Sequence, residues 1–421
     1  MANYQKIKGT QDFYDLSARK LKYIENFASE LASKYGCKHI ITPIFEATEV
    51  FVKNVGEDSD VVTKEMYTFD DKGHRSITLR PEGTAAVARS FIENKMYANP
   101  GLTKYYYYGP MFRYERPQVG RYREFNQFGI EVYGNGSYLL DVDIILAAYN
   151  IFTGLGIENV TIKINSIGNF ESRQNYSKAL KEHFSKYINT MCEDCKRRIN
   201  TNPMRILDCK VDAKHEALKE VPSINDYLTT ESKEYFDNVC KTLKDLNVPY
   251  VIDYNLVRGL DYYTDTVFEF IIQSDDELNG LALGGGGKYA KMIESMCGVD
   301  VPGIGFAFGL ERISAIMDKQ NIWENIFNDS KPVVIMGLDP ESKILSLKLA
   351  NDLRKNNIEV SIDYNSYTMK SQFKLADRLN SKYIVIIGEE ERISGEYTVK
   401  NTVLKTQEKV NKENLLEYLR G

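Results

Sequence analysis

Between Phe112 and Glu131, four arginines (Arg113, Arg116, Arg121, Arg123) and three glutamates (Glu115, Glu124, Glu131) alternate with aromatic residues. A planar guanidinium fork matches the oxygens of phosphate or carboxylate, whereas Gln127 and Glu131 suit an amine or a ring N–H. Strand periodicity puts Arg113, Glu115, Arg121, Gln127 and Glu131 on one face of a predicted hairpin that reverses at Pro117-Gln118-Val119-Gly120. That set could hold a nucleotide beside a small zwitterion. The bland alternative is a solvated hairpin edge with scattered ion pairs.

Other blocks bear on the choice. Arg80-Pro81-Glu82-Gly83-Thr84 lies at a strand-to-helix corner, where the carboxylate could receive an ammonium group or only balance the first helical turn. Arg258, Tyr262 and Tyr263 fall in a second such block, and Gly284 to Gly287 let backbone lie close to a flat ligand. The glycine run is neither a Walker loop nor a Rossmann turn. Gly303 to Gly309 reads as a small-residue strand entering a helix that carries Arg312.

The elements that must position these residues follow from hydrophobic spacing. Leu21, Ile24, Phe27, Ala28 and Leu31 predict a helix over 18–35, stopped by Gly36. His39 to Glu46 reads as one apolar strand with Pro43 inside it, which confines it to a sheet edge or a subunit boundary. A hairpin (66–69 with 76–79) then leads to a helix over 85–95, a strand over 104–108 and a helix over 140–152. Residues 171–247 are lysine-rich and helical in period, whereas strands return at 251–252 and 267–272. Residues 318–331 read as a polar linker. Beyond it, strands at 333–336, 358–362, 383–387 and 397–404 alternate with helices at 341–355, 370–379 and 412–419, the pattern of a separate α/β domain.

With 421 residues, the chain is long enough for two or three domains, and 27% charged residues fit an ordinary water-facing surface. Residues 331–421 hold 15 Lys and Arg against 13 Asp and Glu, an excess too small to demand or exclude nucleic acid. No run approaches a membrane span and the N-terminus lacks an apolar signal core, so a cytoplasmic protein with no membrane partner is expected. Cys192, Cys195 and Cys209 invite a zinc reading with His183 or His215 as fourth ligand, but unligated thiols are the default and no metal ligand is assigned.

Taken in order, these blocks resemble the histidyl-tRNA synthetases, class II aminoacyl-tRNA synthetases, over essentially the whole chain. The resemblance rests on the edge strand at Pro43 and Glu46, the Arg80–Thr84 corner, Phe112–Glu131 and the strand and helix ending at Arg312. It rests also on Leu256–Tyr263, Leu283–Tyr289 and Asn202–Lys210. It implies an α+β catalytic domain over 1–325, built on an antiparallel sheet of class II type, with a helical insertion at 171–247. It also implies a C-terminal α/β anticodon-binding domain at 331–421.

The implied activity is that of a histidine-tRNA ligase. L-Histidine and ATP, with Mg²⁺, give histidyl-adenylate and pyrophosphate, and the histidyl group then passes to the 3′ end of tRNA(His). Arg113 and Arg258 would act on the α-phosphate and Arg312 near the γ-phosphate, with Glu115 and Arg121 also at ATP. Glu82, Gly83, Thr84, Arg113, Gln127, Glu131, Arg258, Tyr262 and Tyr263 would bind histidine. Within that set Glu82, Thr84 and Gln127 would take the α-amino and backbone atoms, and Glu131, Tyr262 and Tyr263 the side chain. The insertion would touch the acceptor arm of tRNA, the tail domain the anticodon, and the chain would form a homodimer.

One departure is local. Where the family usually has Gly-Gly-Arg-Tyr-Asp, this chain has Lys288 and Ala290 in place of the arginine and the aspartate, read as the loss of a structural ion pair. The alternative reading is a histidine-sensing regulatory subunit of ATP phosphoribosyltransferase, which resembles the same core. Such subunits usually lack the tail domain and erode the ATP arginines, both of which this chain keeps. A tRNA-binding module without chemistry would not need the Glu82, Gln127 and Glu131 pocket.

Overall fold

Strand Glu124–Tyr133, which carries Gln127 and Glu131, lies inside an eight-stranded sheet rather than in an isolated hairpin. The order is Lys38–His39, Thr103–Phe112, Glu124–Tyr133, Gly303–Gly309, Ala282–Tyr289, Thr264–Ile272, Val160–Ser166, Tyr250–Ile252. The six central strands pair antiparallel, and only the two short outermost strands pair in parallel with their neighbours. The computed structural model describes residues 4–56, 59–115, 120–134, 136–257, 260, 262–327 and 331–420. The chain folds as two compact units, Met1–Trp323 and Glu324–Gly421.

Helices cover one face of this sheet. Helix Tyr138–Gly154 buries Ile144, Ile145, Ile151 and Phe152, and the Phe152 ring meets Phe270 and Phe308 at 5.2 Å each. Helix Asp15–Lys34 buries Leu21, Ile24, Ala28 and Ala32, and Gly36 follows with a φ of +77°, a conformation that suits glycine after a helix end. Residues 170–245 form helices Phe170–Ser185, Glu193–Thr201 and Thr230–Asp245 with short 3₁₀ turns and no strand.

Several expectations are corrected. The strand predicted over 39–46 is two strands in different sheets. Lys38–His39 lies at the edge of the large sheet, and Phe45–Ala47 joins a three-stranded sheet with Ser76–Leu79 and Tyr67–Asp70. Pro43 has no N–H for a ladder, so pairing stops before it and resumes after it. The strand expected at 104–108 runs on to Phe112 and is itself the partner of Glu124–Tyr133, so Arg113, Arg121 and Arg123 lie in the connection instead of in two further strands. The predicted turn residues Pro117, Gln118 and Val119 lie outside the described residues. In the 318–331 linker, Trp323–Ile326 is helical and Trp323 is buried.

Unit Glu324–Gly421 has a five-stranded sheet ordered Val360–Ile362, Val333–Gly337, Tyr383–Ile387, Glu396–Asn401, Thr406–Asn411. Asp339 starts helix Pro340–Lys355 by accepting from the Ser342 N–H at 2.8 Å. Its core centres on Ile335, Val385, Ile387 and Val399. Strand Thr406–Asn411 was not predicted: it is an edge strand in which only Val410 is buried, so it has no hydrophobic alternation. Among the described residues no helix is long and apolar enough to cross a membrane.

Candidate active site

Register explains why the key side chains meet. Antiparallel pairing sets Glu131 opposite Gly305 and Gln127 opposite Gly309, leaving both side chains over glycine. A Cβ on Gly305 would meet the Glu131 carboxylate at 2.0 Å, so that glycine makes the carboxylate's space. Glu131 is almost fully buried, accepting from Thr84 Oγ1 at 2.6 Å and from the Tyr289 hydroxyl. Gln127 Oε1 accepts from the Gly83 N–H at 3.1 Å and from the Tyr107 hydroxyl at 3.2 Å.

Glu82 joins them from the corner before helix Thr84–Glu93, whose Thr84 and Ala85 N–H groups donate to it at 2.8 Å each. The carboxylate therefore balances the first helical turn and is also aimed into the cavity. Burial raises its pKa, against those amide bonds and the nearby Arg113. Burial also pushes Glu131 up to about 8, with Glu82 adding to the rise and the Thr84 and Tyr289 hydrogen bonds opposing it. Two desolvated carboxyls facing one cavity disfavour joint ionisation, and an arriving ammonium or ring N–H relieves that strain.

The cations occupy the other end of the same cavity, which encloses about 250 Å³, far more than a single water needs. Arg113 is fixed by donation from Nε to the Pro81 carbonyl at 2.7 Å. Glu115 lies 3.7 Å from the Arg113 guanidinium and 3.6 Å from that of Arg121. Arg312, in the first turn of helix Leu310–Lys319, donates to the Ala282 carbonyl at 3.2 Å. Burial lowers the Arg312 pKa and the like charge of Arg121 lowers it further. Three guanidinium groups against the Glu115 and Glu269 carboxylates leave net positive charge directed at the cavity, which suits a polyphosphate.

The structure thus brings together Glu82, Thr84, Arg113, Glu115, Arg121, Gln127, Glu131, Tyr262, Tyr263 and Arg312, all lining this cavity. Gly83 contributes its N–H, and a Cβ there would meet the Tyr107 ring at 2.2 Å. Arg258, the other cation expected at the α-phosphate, lies outside the described residues. Tyr289 was missed as a site residue, although an aromatic ending a four-glycine run is a signal for it. The glycines mostly serve the sheet: Cβ atoms at Gly284 and Gly286 would strike the carbonyls of Ala307 and Gly305 at 2.7 and 2.0 Å.

Lys288 is buried and points away from the cavity, donating to the Gly136 carbonyl at 3.0 Å and the Tyr235 hydroxyl at 2.9 Å. It also faces Asp141, whose carboxyl is pushed up to about 7 by burial with Lys288 pulling the other way. The lysine charge is therefore used structurally and not deleted. As for the zinc reading, the group that joins Cys192, Cys195 and Cys209 is Asp212 and neither histidine. His183 Nε2 meets the Ala217 carbonyl at 2.7 Å, and His215 contacts Ala217 and Thr190.

Comparison with known proteins places the whole chain in one family. The histidyl-tRNA synthetase family model matches residues 9–313, and an anticodon-binding domain model matches 332–421. The histidine–tRNA ligase of Staphylococcus carnosus is 47% identical over 413 residues, covering 98% of this chain and 96% of that protein. The crystal structure of apo histidyl-tRNA synthetase from Staphylococcus aureus superposes with a TM-score of 0.83 at 39% identity, covering all of both chains. A Bacillus halodurans structure described as an ATP phosphoribosyltransferase regulatory subunit/histidyl-tRNA synthetase, at 18% identity and a TM-score of 0.66 over 91% of this chain and 98% of that one, shares the fold alone. By this family match and by near-full-length identity, the chain belongs to the histidyl-tRNA synthetases.

Proposed function

We propose that the chain ligates histidine to tRNA in two steps at this cavity. It activates L-histidine with ATP, releasing pyrophosphate, and then passes the histidyl group to the terminal ribose of tRNA(His). The observation that carries the reading is one cavity with guanidinium groups at one end and paired buried carboxyls at the other.

In the first step a histidine carboxylate oxygen attacks the α-phosphorus, a P–O bond forms, and the bond to pyrophosphate breaks. Negative charge grows on the α-phosphate oxygens. Arg113, held by the Pro81 carbonyl, would meet that charge with little reorganisation, and Arg258 is assigned the same role. Arg312 and Arg121 serve the outer phosphates. Mg²⁺ bound with ATP would neutralise phosphate charge, and the Glu115 and Glu269 carboxylates at the cavity wall would be the hard oxygen ligands available to it. Glu82, Thr84 and Gln127 hold the α-ammonium end, while Glu131, Tyr262 and Tyr263 read the imidazole. An amino acid lacking ring N–H groups would leave those buried polar atoms unpaired, which is the basis of selectivity.

Residues 332–421 match an anticodon-binding domain, which supports recognition of the anticodon by this unit. Residues 171–247 are assigned to the acceptor arm. The exposed Ile41, Ile44, Phe45 and Phe69 around Pro43 support a homodimer joined along that edge. The expected location is the cytoplasm. A regulatory role is disfavoured because Arg113 and Arg312 remain aimed into the cavity and the tail domain is present. The test is charging of tRNA(His) transcript with labelled histidine, run on the full chain and on Arg258→Ala. Charging that falls on the order of 10²-fold in the variant supports the reading, and an inactive wild type removes it.

A further inference from the structure

Away from the cavity, three cysteines and a carboxylate converge within the helical run. Cys192 caps helix Glu193–Thr201 and Cys195 sits three residues on, while Cys209 and Asp212 repeat that spacing after the short helix Pro203–Ile206. The three Sγ atoms and a carboxylate oxygen of Asp212 all lie within 4.8 Å of one another. Cys192 Sγ and Cys209 Sγ are 3.7 Å apart, and Cys209 Sγ is 3.8 Å from Asp212 Oδ2. Tetrahedral zinc with Zn–S bonds of about 2.3 Å places its sulfur ligands roughly 3.8 Å apart. A disulfide needs about 2.05 Å. The spacing excludes a disulfide and matches ligands of one tetrahedral ion.

The surroundings support a built site. Cys195, Cys209 and Asp212 are buried, at 0%, 5% and 8% exposure. The Cys192 N–H donates to Asp212 Oδ2 at 3.0 Å, and the Asp212 N–H points to Cys209 Sγ at 3.5 Å, contacts that orient the ligand atoms. Thiols alone pack well in an apolar core, but a buried carboxylate set against them, with the His215 imidazole as a nearby titratable cation, gains from a metal ion between them.

We propose that Cys192, Cys195, Cys209 and Asp212 bind one Zn²⁺ ion. Four protein ligands complete a tetrahedron, so the ion is structural and has no open position for chemistry. Binding exchanges the thiol protons for the metal and involves no oxidation, and the protons leave to solvent. The ion would tie the start of helix Glu193–Thr201 to the loop that follows it. That helix carries Asp194, which pairs with Lys64 at 2.6 Å, and Arg198, which pairs with Asp60 at 2.8 Å. Next to them, the Glu65 carbonyl accepts from the Tyr114 N–H at 2.7 Å, immediately beside Arg113. The metal would thereby brace the wall behind the phosphate end of the cavity.

The test uses untagged full-length protein purified without chelator. Elemental analysis should find about one zinc per chain, and Cys297→Ser, which changes an exposed cysteine elsewhere, should keep it. Cys209→Ser and Asp212→Asn should lower zinc occupancy at least severalfold. Cobalt exchanged into the wild type should give thiolate-to-metal charge-transfer and intense tetrahedral visible bands, a readout that does not depend on whether a variant folds. Zinc far below stoichiometric that added Zn²⁺ does not restore, a Cys192–Cys209 disulfide in freshly purified protein, or undiminished zinc in both ligand variants would each overturn the proposal.

Discussion

Glu131 is proposed to read the imidazole, and its buried carboxyl also titrates on folding. Its carboxyl is pushed up to about 8 from 4.5, so the folded form keeps a proton that the unfolded chain has lost. A raised carboxyl favours the folded state fully below about 4.5, and that advantage fades as pH climbs through about 8. The ligand-free protein should therefore lose melting temperature across this window, and Glu131→Gln should flatten the slope when melting is followed against pH. If Glu131 reads the imidazole as proposed, the same variant should reduce kcat/KM for histidine on the order of 10²-fold, since an NH2 group replaces one carboxylate oxygen and the charge that would meet the ring N–H is gone. A KM for ATP that rises as steeply in Glu131→Gln would argue against the division of the cavity into two ends.

Strands and helices set the geometry that single residues use. Gly305→Ala puts a methyl group against both the Glu131 carboxylate and the Ile130 carbonyl, at 2.0 and 2.6 Å. It should weaken histidine binding more than tenfold while costing about 1–3 kcal/mol of stability, measured by histidine titration and by chemical denaturation. This element-level logic was partly legible before the fold was known. The alternating Gln127 and Glu131 and the apolar stripe of helix Asp15–Lys34 followed from periodicity, because each is set by its own strand or helix. Tyr289, the glycines' role in strand approach and the Asp212 position were not, because each depends on a neighbour far away in sequence. The break at Pro43 was visible as a proline but not as a change of sheet. Strand Thr406–Asn411 left no trace, because pairing holds it and burial does not.

At the scale of the whole chain, the proposal assigns separable tasks to the two units. Each has its own sheet and core, and the cavity belongs entirely to Met1–Trp323. Ending the chain after Trp323 should spare amino-acid activation to within about tenfold while reducing tRNA charging on the order of 10²-fold, a difference of roughly 1.4 kcal/mol per decade. Equal loss of both activities would mean that the units depend on each other for folding or catalysis. The proposed chemistry depends on cationic side chains stabilising charge at the α-phosphorus beside a pocket that would read histidine. The most direct measurement is exchange of labelled pyrophosphate into ATP, with each amino acid in turn, by the wild type and by Arg113→Ala. Exchange that requires histidine and falls on the order of 10²-fold or more in the variant is the predicted result. Exchange that is indifferent to the amino acid, or unchanged by loss of Arg113, would contradict it.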